Sequence, residues 1–361
     1  MKIWSEGILK DFIVLGNGKE RPLKNGPIPV FGGNGILSYC NKSNYSGKTI
    51  IIGRVGAYCG AVYYIDGDVW VSDNALSAHT KNNCDIKFMY YFLDNMHLNQ
   101  FAEGSSHPLI THKLIYSLPA KIPSLPEQKA IAGILSNLDD KIDLLQRQNA
   151  TLEAMAETLF RQWFIEEAQE DWEEFSLDCI ADNIKEQAIP AALDCNTPYV
   201  GLEHIDKKNI SLNRVGVSSE ISSNKFYFRK YDILFGKLRP YFHKVCFAPF
   251  NGVCSTDILV IRPKQKTILP FCLFAFFQKD LIDFSDYASS GTRMPRTNWN
   301  ILSQYKMKKP PCDKIKKFNI ICQKYIDKIE KNQKQIRTLE KLRDTLLPKL
   351  MSGEVRVRVD G

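Results

Sequence analysis

The segment DKIDLLQRQNATLEAMAETLF, residues 140–160, recurs as DKIEKNQKQIRTLEKLRDTLL at residues 327–347. The two copies are identical at ten of 21 positions. A repeat of this length indicates the architecture of the whole chain, and we therefore consider it before any local motif. The sequence therefore contains two copies of one long segment, offset by 187 positions.

Both copies are predicted to form coiled-coil helices. Apolar residues alternate steps of four and three along residues 131–163 and again along residues 318–350, which is the spacing of a helix seam. Pro126 and Pro311 mark the starts of the two helices, because proline is tolerated in a first turn. Pro348 is expected to kink or end the second helix.

The two helices are expected to pair in antiparallel orientation. Residues 121–167 hold 5 Lys+Arg against 8 Asp+Glu, whereas residues 306–350 hold 14 against 5, so their charges are complementary. We place Ile131 level with Leu350, and Trp163 level with Phe318. The residue numbers of two facing positions then add up to 481, so Asn149 falls opposite Asn332. Two buried amides that satisfy each other would fix the helix register at a cost in stability. The alternative is that each Asn only touches solvent at a loose seam.

A second repeat relates residues 52–76 to residues 235–259. At an offset of 183 it aligns Gly53 with Gly236, Arg54 with Lys237, Tyr58 with Tyr241 and Ser72 with Ser255. Short β-branched and aromatic runs, separated by Gly, Asn and Asp, predict strands and turns in both copies. The order along the chain is therefore domain, helix, domain, helix.

The predicted fold class is α+β, with two mixed α/β domains separated by a long antiparallel two-helix coiled coil and an internal pseudo-two-fold repeat. A length of 361 residues is about twice that of a usual domain and agrees with two cores. The predicted segments are a first domain at 1–120, a first helix at 121–167, a second domain at 168–308, a second helix at 309–350 and a C-terminal tail at 351–361.

The composition is that of a globular protein. Its 44% hydrophobic and 24% charged residues exclude disorder or low complexity as a description of the whole chain. No run approaches the roughly 18 apolar residues of a membrane span, and the first residues have no signal-peptide pattern. We therefore expect a soluble, unexported, cytoplasmic protein. The ten cysteines form no C-x-x-C pair and are expected to be reduced thiols.

The net charge of +8 is concentrated near the end of the chain. Residues 306–350 alone carry an excess of nine positive charges. Such a surface attracts nucleic acid or an acidic partner. A solvated basic helix face explains the lysines of this segment equally well.

The sequence shows no catalytic centre. Phe31-Gly32-Gly33-Asn34-Gly35 formally matches the F-x-G-x-G loop of S-adenosylmethionine-dependent methyltransferases, but no long apolar strand precedes it and no long helix follows it. There is no Walker loop and no G-x-S-x-G elbow, and the six histidines lack metal-ligand spacing. We interpret the glycines as turns, which also let the backbone approach DNA.

Basic and aromatic residues alternate in two stretches, residues 225–230 and 236–244. A third stretch, residues 289–299, is rich in side chains that form bidentate hydrogen bonds. Residues of these types contact phosphates and base edges. Each stretch alone is as typical of a solvated surface, but their joint occurrence in a duplicated chain favours nucleic-acid recognition.

The sequence resembles the specificity subunits of type I restriction-modification systems over nearly its whole length. The matching motifs are Ile122-Pro123-Ser124-Leu125-Pro126-Glu127-Gln128-Lys129-Ala130-Ile131, Leu159-Phe160-Arg161-Gln162-Trp163-Phe164, Gly236-Lys237-Leu238-Arg239-Pro240-Tyr241, Cys254-Ser255-Thr256-Asp257-Ile258 and Leu347-Pro348-Lys349-Leu350-Met351-Ser352-Gly353-Glu354. The second helix departs from the pattern, because Pro311-Cys312-Asp313 stands where the first repeat has Pro126-Glu127-Gln128. The resemblance therefore leaves the start of the second helix open.

The resemblance implies a DNA-recognition subunit without catalytic activity of its own. Each domain would be a target-recognition domain that reads one half of a bipartite, asymmetric site in double-stranded DNA. Two modification subunits would dock on the chain and methylate adenine with S-adenosylmethionine, and restriction subunits would join them. No cofactor, metal or membrane is expected for this chain itself.

The candidate DNA-binding residues lie in the glycine-containing loops of the two domains. In the first domain they are Asn34, Arg54, Tyr58, Ser72, Asn74 and Ser105, and in the second Lys237, Arg239, Tyr241, Ser255, Thr256, Arg293, Arg296 and Asn298. Two alternatives remain at this point. The Phe31 loop could bind S-adenosylmethionine in a stand-alone DNA methyltransferase, or the chain could be a coiled-coil adaptor with no DNA role.

Overall fold

The computed structural model describes residues 4–81, 83–104, 108–289 and 294–358. It divides into two compact units. Unit 1 comprises Met1–Lys141 with Leu339–Gly361, and unit 2 comprises Ile142–Thr338. This division differs from the five predicted segments, because each long helix contributes one part of its length to unit 1 and the other part to unit 2.

Unit 1 is a mixed α/β unit. Its elements are β1 (Ser5–Ile8), α1 (Leu9–Phe12), β2 (Ile13–Asn17), β3 (Ile28–Gly32), β4 (Gly35–Cys40), β5 (Lys48–Gly53), β6 (Val62–Asp66), β7 (Trp70–Val71), β8 (Ala75–Thr80), α2 (Ile86–Asn95), α3 (His112–Ser117), β9 (Pro119–Ile122) and the first part of α4 (Leu125–Arg161). The sheets have the orders β2-β8-β5-β6, β4-β3-β7 and β1-β9. The β-branched run of β5 is fully buried at its centre, which explains why it lies inside the four-stranded sheet.

Unit 2 has the same types of element. They are β10 (Glu174–Ser176), β11 (Ala181–Ile184), β12 (Gln187–Ala188), β13 (Pro198–Val200), β14 (Gly216–Val217), β15 (Lys225–Phe228), β16 (Ile233–Gly236), β17 (Val245–Phe247), β18 (Gly252–Cys254), β19 (Ile258–Pro263), α5 (Leu269–Phe277), α6 (Lys279–Tyr287), α7 (Trp299–Ser303), β20 (Lys306–Lys308) and α8 (Cys312–Ser352), which ends in unit 1. The sheets have the orders β11-β19-β16-β17, β12-β15-β18-β13-β14 and β10-β20.

The two units share one topology, as the internal repeat predicts. The order β2-β8-β5-β6 of unit 1 corresponds strand by strand to β11-β19-β16-β17 of unit 2. The parallel pair of β3 with β7 corresponds to the parallel pair of β13 with β18. Unit 2 adds β12 and β15 to the edge of that sheet, and a longer connection leads from β13 to β14.

The helices α4 and α8 pair in antiparallel orientation within each unit, in the predicted register. In unit 1, Ile131 and Leu350 belong to one buried core. In unit 2, the ring centroids of Trp163 and Phe318 lie 6.4 Å apart. Both pairs sum to 481, so the heptad pattern placed the partners level. The prediction that Pro348 ends the second helix is wrong, because α8 continues past this residue to Ser352, and the alternative of a kink at Pro348 stays a prediction.

The acidic segment after α4 is held by lysines of unit 2. Lys314 Nζ lies 2.8 Å from Glu167 Oε2, and Lys309 Nζ lies 3.6 Å from Glu173 Oε2. These ion pairs neutralise part of the negative charge of the segment, which would otherwise repel DNA phosphates. No helix among the described residues is long and apolar enough to cross a membrane.

Candidate nucleic-acid interface

Four connections meet at one end of the four-stranded sheet of unit 1. They are the β3–β4 turn, the β5–β6 loop, the β7–β8 turn and the segment before α3, and together we call them cluster 1 (residues 33–34, 54–61, 72–74 and 108–111). The backbone brings them together: Arg54 N donates to Asn74 O at 3.0 Å, and Ile110 N donates to Arg54 O at 2.9 Å. Gly33 lies close to this contact, since a Cβ there would meet Val55 O at 3.2 Å.

The equivalent connections of unit 2 form cluster 2 (residues 201–202, 237–244, 255–257 and 295–298). Lys237 N donates to Asp257 O at 2.8 Å, and Thr297 N donates to Lys237 O at 3.0 Å. Three further backbone hydrogen bonds of unit 1 have an equivalent in unit 2. The bond from Gly53 N to Ala61 O corresponds to that from Gly236 N to Lys244 O, and the bond from Gly56 N to Pro108 O corresponds to that from Arg239 N to Pro295 O. The bond from Ser72 N to Phe31 O corresponds to that from Ser255 N to Val200 O. The repeat therefore extends from the strands to the backbone of the loops, while the side chains differ.

The left-handed backbone positions of these loops also recur. Gly56 and Gly60 have φ of 81° and 90°, and their equivalents Arg239 and His243 have φ of 50° and 52°. His243 is held in this conformation by burial and by a 2.6 Å contact between its Nε2 and Phe277 O. Burial also lowers its pKa. Arg239, by contrast, is exposed, so the strained position presents a guanidinium to solvent.

The predicted residues of unit 1 gather in cluster 1, but they are not equally accessible. Asn34, Tyr58 and Asn74 are exposed, and Tyr58 is 54% exposed. Arg54 is half-buried, and its Nε is buried without a hydrogen-bond partner among the described residues. Ser72 is buried, so its hydroxyl does not reach a ligand in this conformation. The predicted Ser105 lies outside the described residues.

The predicted residues of unit 2 gather in cluster 2 and are mostly exposed. Arg239, Tyr241 and Thr256 face solvent, whereas Ser255 is half-buried. Lys237 is half-buried, and this burial lowers the pKa of its ammonium group. The predicted Arg293 lies outside the described residues.

Two predicted residues of cluster 2 have partners inside the protein. Arg296 Nη2 donates to Asp257 Oδ1 at 3.0 Å, which orients the guanidinium. Asn298 Oδ1 accepts from Ile301 N at 3.2 Å and caps α7. Thr111 caps α3 in the same way in unit 1, through its bond with Leu114 N. The capping role of Asn298 is therefore part of the repeated framework.

Sequence reasoning missed one cation beside cluster 2, Lys207, and the backbone partner of another inside it, Lys244. Lys207 Nζ lies 4.0 Å from the centre of the Phe242 ring, and Lys244 Nζ donates to Leu202 O. Lys207 comes from the long β13–β14 connection, which the repeat does not align with unit 1. Lys244 belongs to the basic and aromatic stretch 236–244, but the residues around it in sequence do not show that its ammonium group donates to Leu202 O.

The basic stretch at residues 225–230 serves the fold of unit 2. Lys225 is buried and donates to Ser223 Oγ at 2.7 Å. Lys230 Nζ donates to Glu330 Oε1 on α8 at 2.6 Å. These cations have internal partners, so the stretch is less suited to phosphate contact than its composition indicated.

The Phe31 loop is a β-hairpin turn. Gly32 pairs with Gly35 across Gly33-Asn34, and Gly35 has a φ of 76°, a conformation that favours glycine. Phe31 is buried against Ile51 and Val71. No group of three or more potential metal ligands occurs in the part of the chain that the structure describes. The two clusters thus present loops of hydrogen-bonding and cationic side chains, which is chemistry suited to base edges and phosphates.

Asn149 and Asn332 meet between α4 and α8 in unit 2. Asn332 Nδ2 donates to Asn149 Oδ1 at 2.8 Å, and both side chains are buried. Asn332 Oδ1 is buried without a partner among the described residues. The contact pairs the Nδ2 group of Asn332 but leaves its Oδ1 unpaired, and an unpaired buried polar group lowers stability.

Comparison with known proteins gives a family, two relatives and a similar solved structure. A family model described as "Type I restriction modification DNA specificity domain" matches residues 1–154 and 169–341. The chain is 27% identical over 305 residues to the type I restriction enzyme MjaIX specificity subunit of Methanocaldococcus jannaschii, covering 75% of this chain and 69% of that protein. It is 32% identical over 120 residues to the type I restriction enzyme EcoprrI specificity subunit of Escherichia coli, covering 33% and 30%.

Among solved structures, the S subunit of a type I restriction-modification system from M. genitalium matches with a TM-score of 0.66. The match covers 96% of both chains at 18% sequence identity, so the likeness is one of fold.

Proposed function

Because the chain belongs to the type I restriction-modification DNA specificity family, whose members recognise DNA sequence and are not themselves catalytic, we propose that each of its units reads one half of a bipartite site. Cluster 1 would contact one half-site and cluster 2 the other. Both would act on double-stranded DNA, because the exposed side chains are of the kinds that bind base edges in the major groove and flanking phosphates.

The observation that carries this proposal is the pair of equivalent loop clusters with different side chains. Several backbone hydrogen bonds, among them the five named above, recur in both clusters, so both hold their loops in the same way. Position 56 is Gly where position 239 is Arg, and position 74 is Asn where position 257 is Asp. Equal frameworks with unequal side chains fit two half-sites of unequal sequence, which is an asymmetric target.

The partners follow from the same family membership. Two modification subunits would bind the chain, because its repeat supplies two equivalent sets of surfaces for identical partners. S-adenosylmethionine would be held by those subunits, which would methylate adenine, and restriction subunits would complete the cleaving assembly. We infer that this assembly acts in the cytoplasm, where the DNA lies.

DNA binding by the assembled complex tests the proposal. The chain is purified with its modification subunit, and binding to a set of random duplexes is measured at rising salt. We expect sequence-dependent binding by the complex that weakens as salt rises, and none by the modification subunit alone. Equal binding by the modification subunit without this chain would contradict the proposal.

Calorimetric titration with S-adenosylmethionine separates this proposal from the methyltransferase alternative. We expect no heat of binding with the purified chain and clear binding with the complex. Binding of the cofactor by the chain alone would favour the Phe31 loop as a cofactor site.

A further inference from the structure

The two clusters differ sharply in charge at equivalent positions. Among their described residues, cluster 1 contains one cation, Arg54, and one anion, Asp73. Cluster 2 contains four cations and one anion, namely Lys237, Arg239, Lys244, Arg296 and Asp257. Since the backbone framework is shared, this difference lies in the side chains alone.

The cations of cluster 2 are also the better placed for DNA. Arg239 and Arg296 are exposed, and the single carboxylate, Asp257, holds Arg296 through one nitrogen and leaves the rest of its guanidinium available. Arg54 of cluster 1 is half-buried.

The uncharged residues distinguish cluster 1. Asn34, Asn74 and Tyr58 are its exposed uncharged hydrogen-bonding side chains. An Asn amide forms a bidentate contact with adenine and releases no counterion, whereas each phosphate that a Lys or Arg neutralises lowers the logarithm of the binding constant by about 0.9 per decade of salt. Charged and uncharged clusters therefore leave different signatures in the salt dependence of binding.

We propose that cluster 2 supplies most of the charge that neutralises DNA phosphates, and that cluster 1 binds its half-site chiefly through uncharged hydrogen-bonding groups. Unit 2 then anchors the complex electrostatically, while unit 1 contributes sequence discrimination with little salt dependence. This inference rests on the proposed function, because it assigns different chemistry to the two half-sites.

The test replaces cluster 2 residues with those at the equivalent positions of cluster 1. Arg239→Gly and Arg296→Leu introduce the residues found at Gly56 and Leu109, and glycine suits the positive φ of position 239. The matched control is Arg54→Met in cluster 1. Binding of each complex to one duplex that carries the recognised site is measured between low and moderate salt.

We expect the double replacement to reduce the slope of log K against log salt by roughly 2, and Arg54→Met to reduce it by less than about 0.5. A second pair, Arg239→Lys with Arg296→Lys, should keep the slope, because it keeps the charge. A reduction by Arg54→Met of about 0.9, the value for one full phosphate contact, or no reduction by the double replacement, would overturn the inference. Absence of sequence-dependent binding by the unaltered complex would overturn the proposed function as well.

Discussion

Glu153 is a carboxyl group buried on α4, with a side chain only 7% exposed. Its Oε1 accepts a hydrogen bond from Ile210 N at 2.7 Å. Burial raises its pKa to about 8, although the bond from Ile210 lowers it. The heptad pattern did not identify this residue, because the β13–β14 connection that covers it has no counterpart in the first repeat.

Stability should depend on pH through Glu153. A carboxyl group with a raised pKa favours folding below its usual pKa of 4.5, and this contribution is lost as the pH rises towards 8. Glu153→Gln keeps an oxygen that accepts from Ile210 N and removes the ionisation. We expect the variant to unfold in urea with nearly unchanged free energy at pH 5, and to be roughly 2 to 4 kcal/mol more stable than the parent at pH 9.

Asp140→Asn is the control for this experiment, since Asp140 is exposed on the same helix and is not among the groups that shift the pKa of Glu153. It should leave the pH dependence of unfolding as it is in the parent protein. If Glu153→Gln and the parent lost stability in parallel between pH 5 and pH 9, Glu153 would not be ionising on unfolding.

The loop residues show where prediction from sequence was limited. The repeat predicted which positions lie together, because aligned residues such as Arg54 and Lys237 occupy equivalent loops. It did not predict that Ser72 is buried or that Asn298 caps a helix. Those roles depend on neighbours distant in sequence, which composition and spacing do not reveal.

The long helices were the most predictable elements. Apolar spacing predicted both helices and, once their seams are placed end to end, which residues face each other, and the opposite charges of the helices predicted the antiparallel orientation. It did not predict the continuation of α8 through Pro348, which is possible near a helix end, where few backbone bonds remain to be lost.

The Asn149–Asn332 contact gives a prediction at the level of these helices. Asn149→Leu alone removes the 2.8 Å acceptor of Asn332 Nδ2 and leaves it only the 3.5 Å contact with Gln148 Oε1, so we expect a loss of roughly 1 to 3 kcal/mol. Asn332→Leu should cost less, because it also removes the unpaired Oδ1. Urea unfolding measures each free energy.

The double replacement by Leu completes the cycle. With no amide left in the seam, the protein should be at least as stable as the parent, because an apolar contact replaces a partly satisfied polar one. Additive losses in the two single variants and the double variant would show that the two side chains do not interact.

At the scale of the whole molecule, the chain contains two units with the same backbone arrangement. Topology, helix pairing and loop backbone recur in the two units, and the exposed loop side chains differ. Sequence alone predicted this duplication, since two repeats of different offset were visible in it. The DNA sequence that each unit reads was beyond prediction, because base choice depends on which side chains enter the groove.

The most direct test of DNA reading by two units is a map of methylated adenines in cells that carry this chain and its modification subunit. The account predicts a two-part, asymmetric motif that disappears when the chain is deleted. In an Asn74→Ala variant, which removes an exposed amide of cluster 1, base discrimination should fall by roughly 1 to 3 kcal/mol in one half of the motif, with the other half unchanged. An uninterrupted motif, or relaxation of both halves by this one substitution, would contradict it.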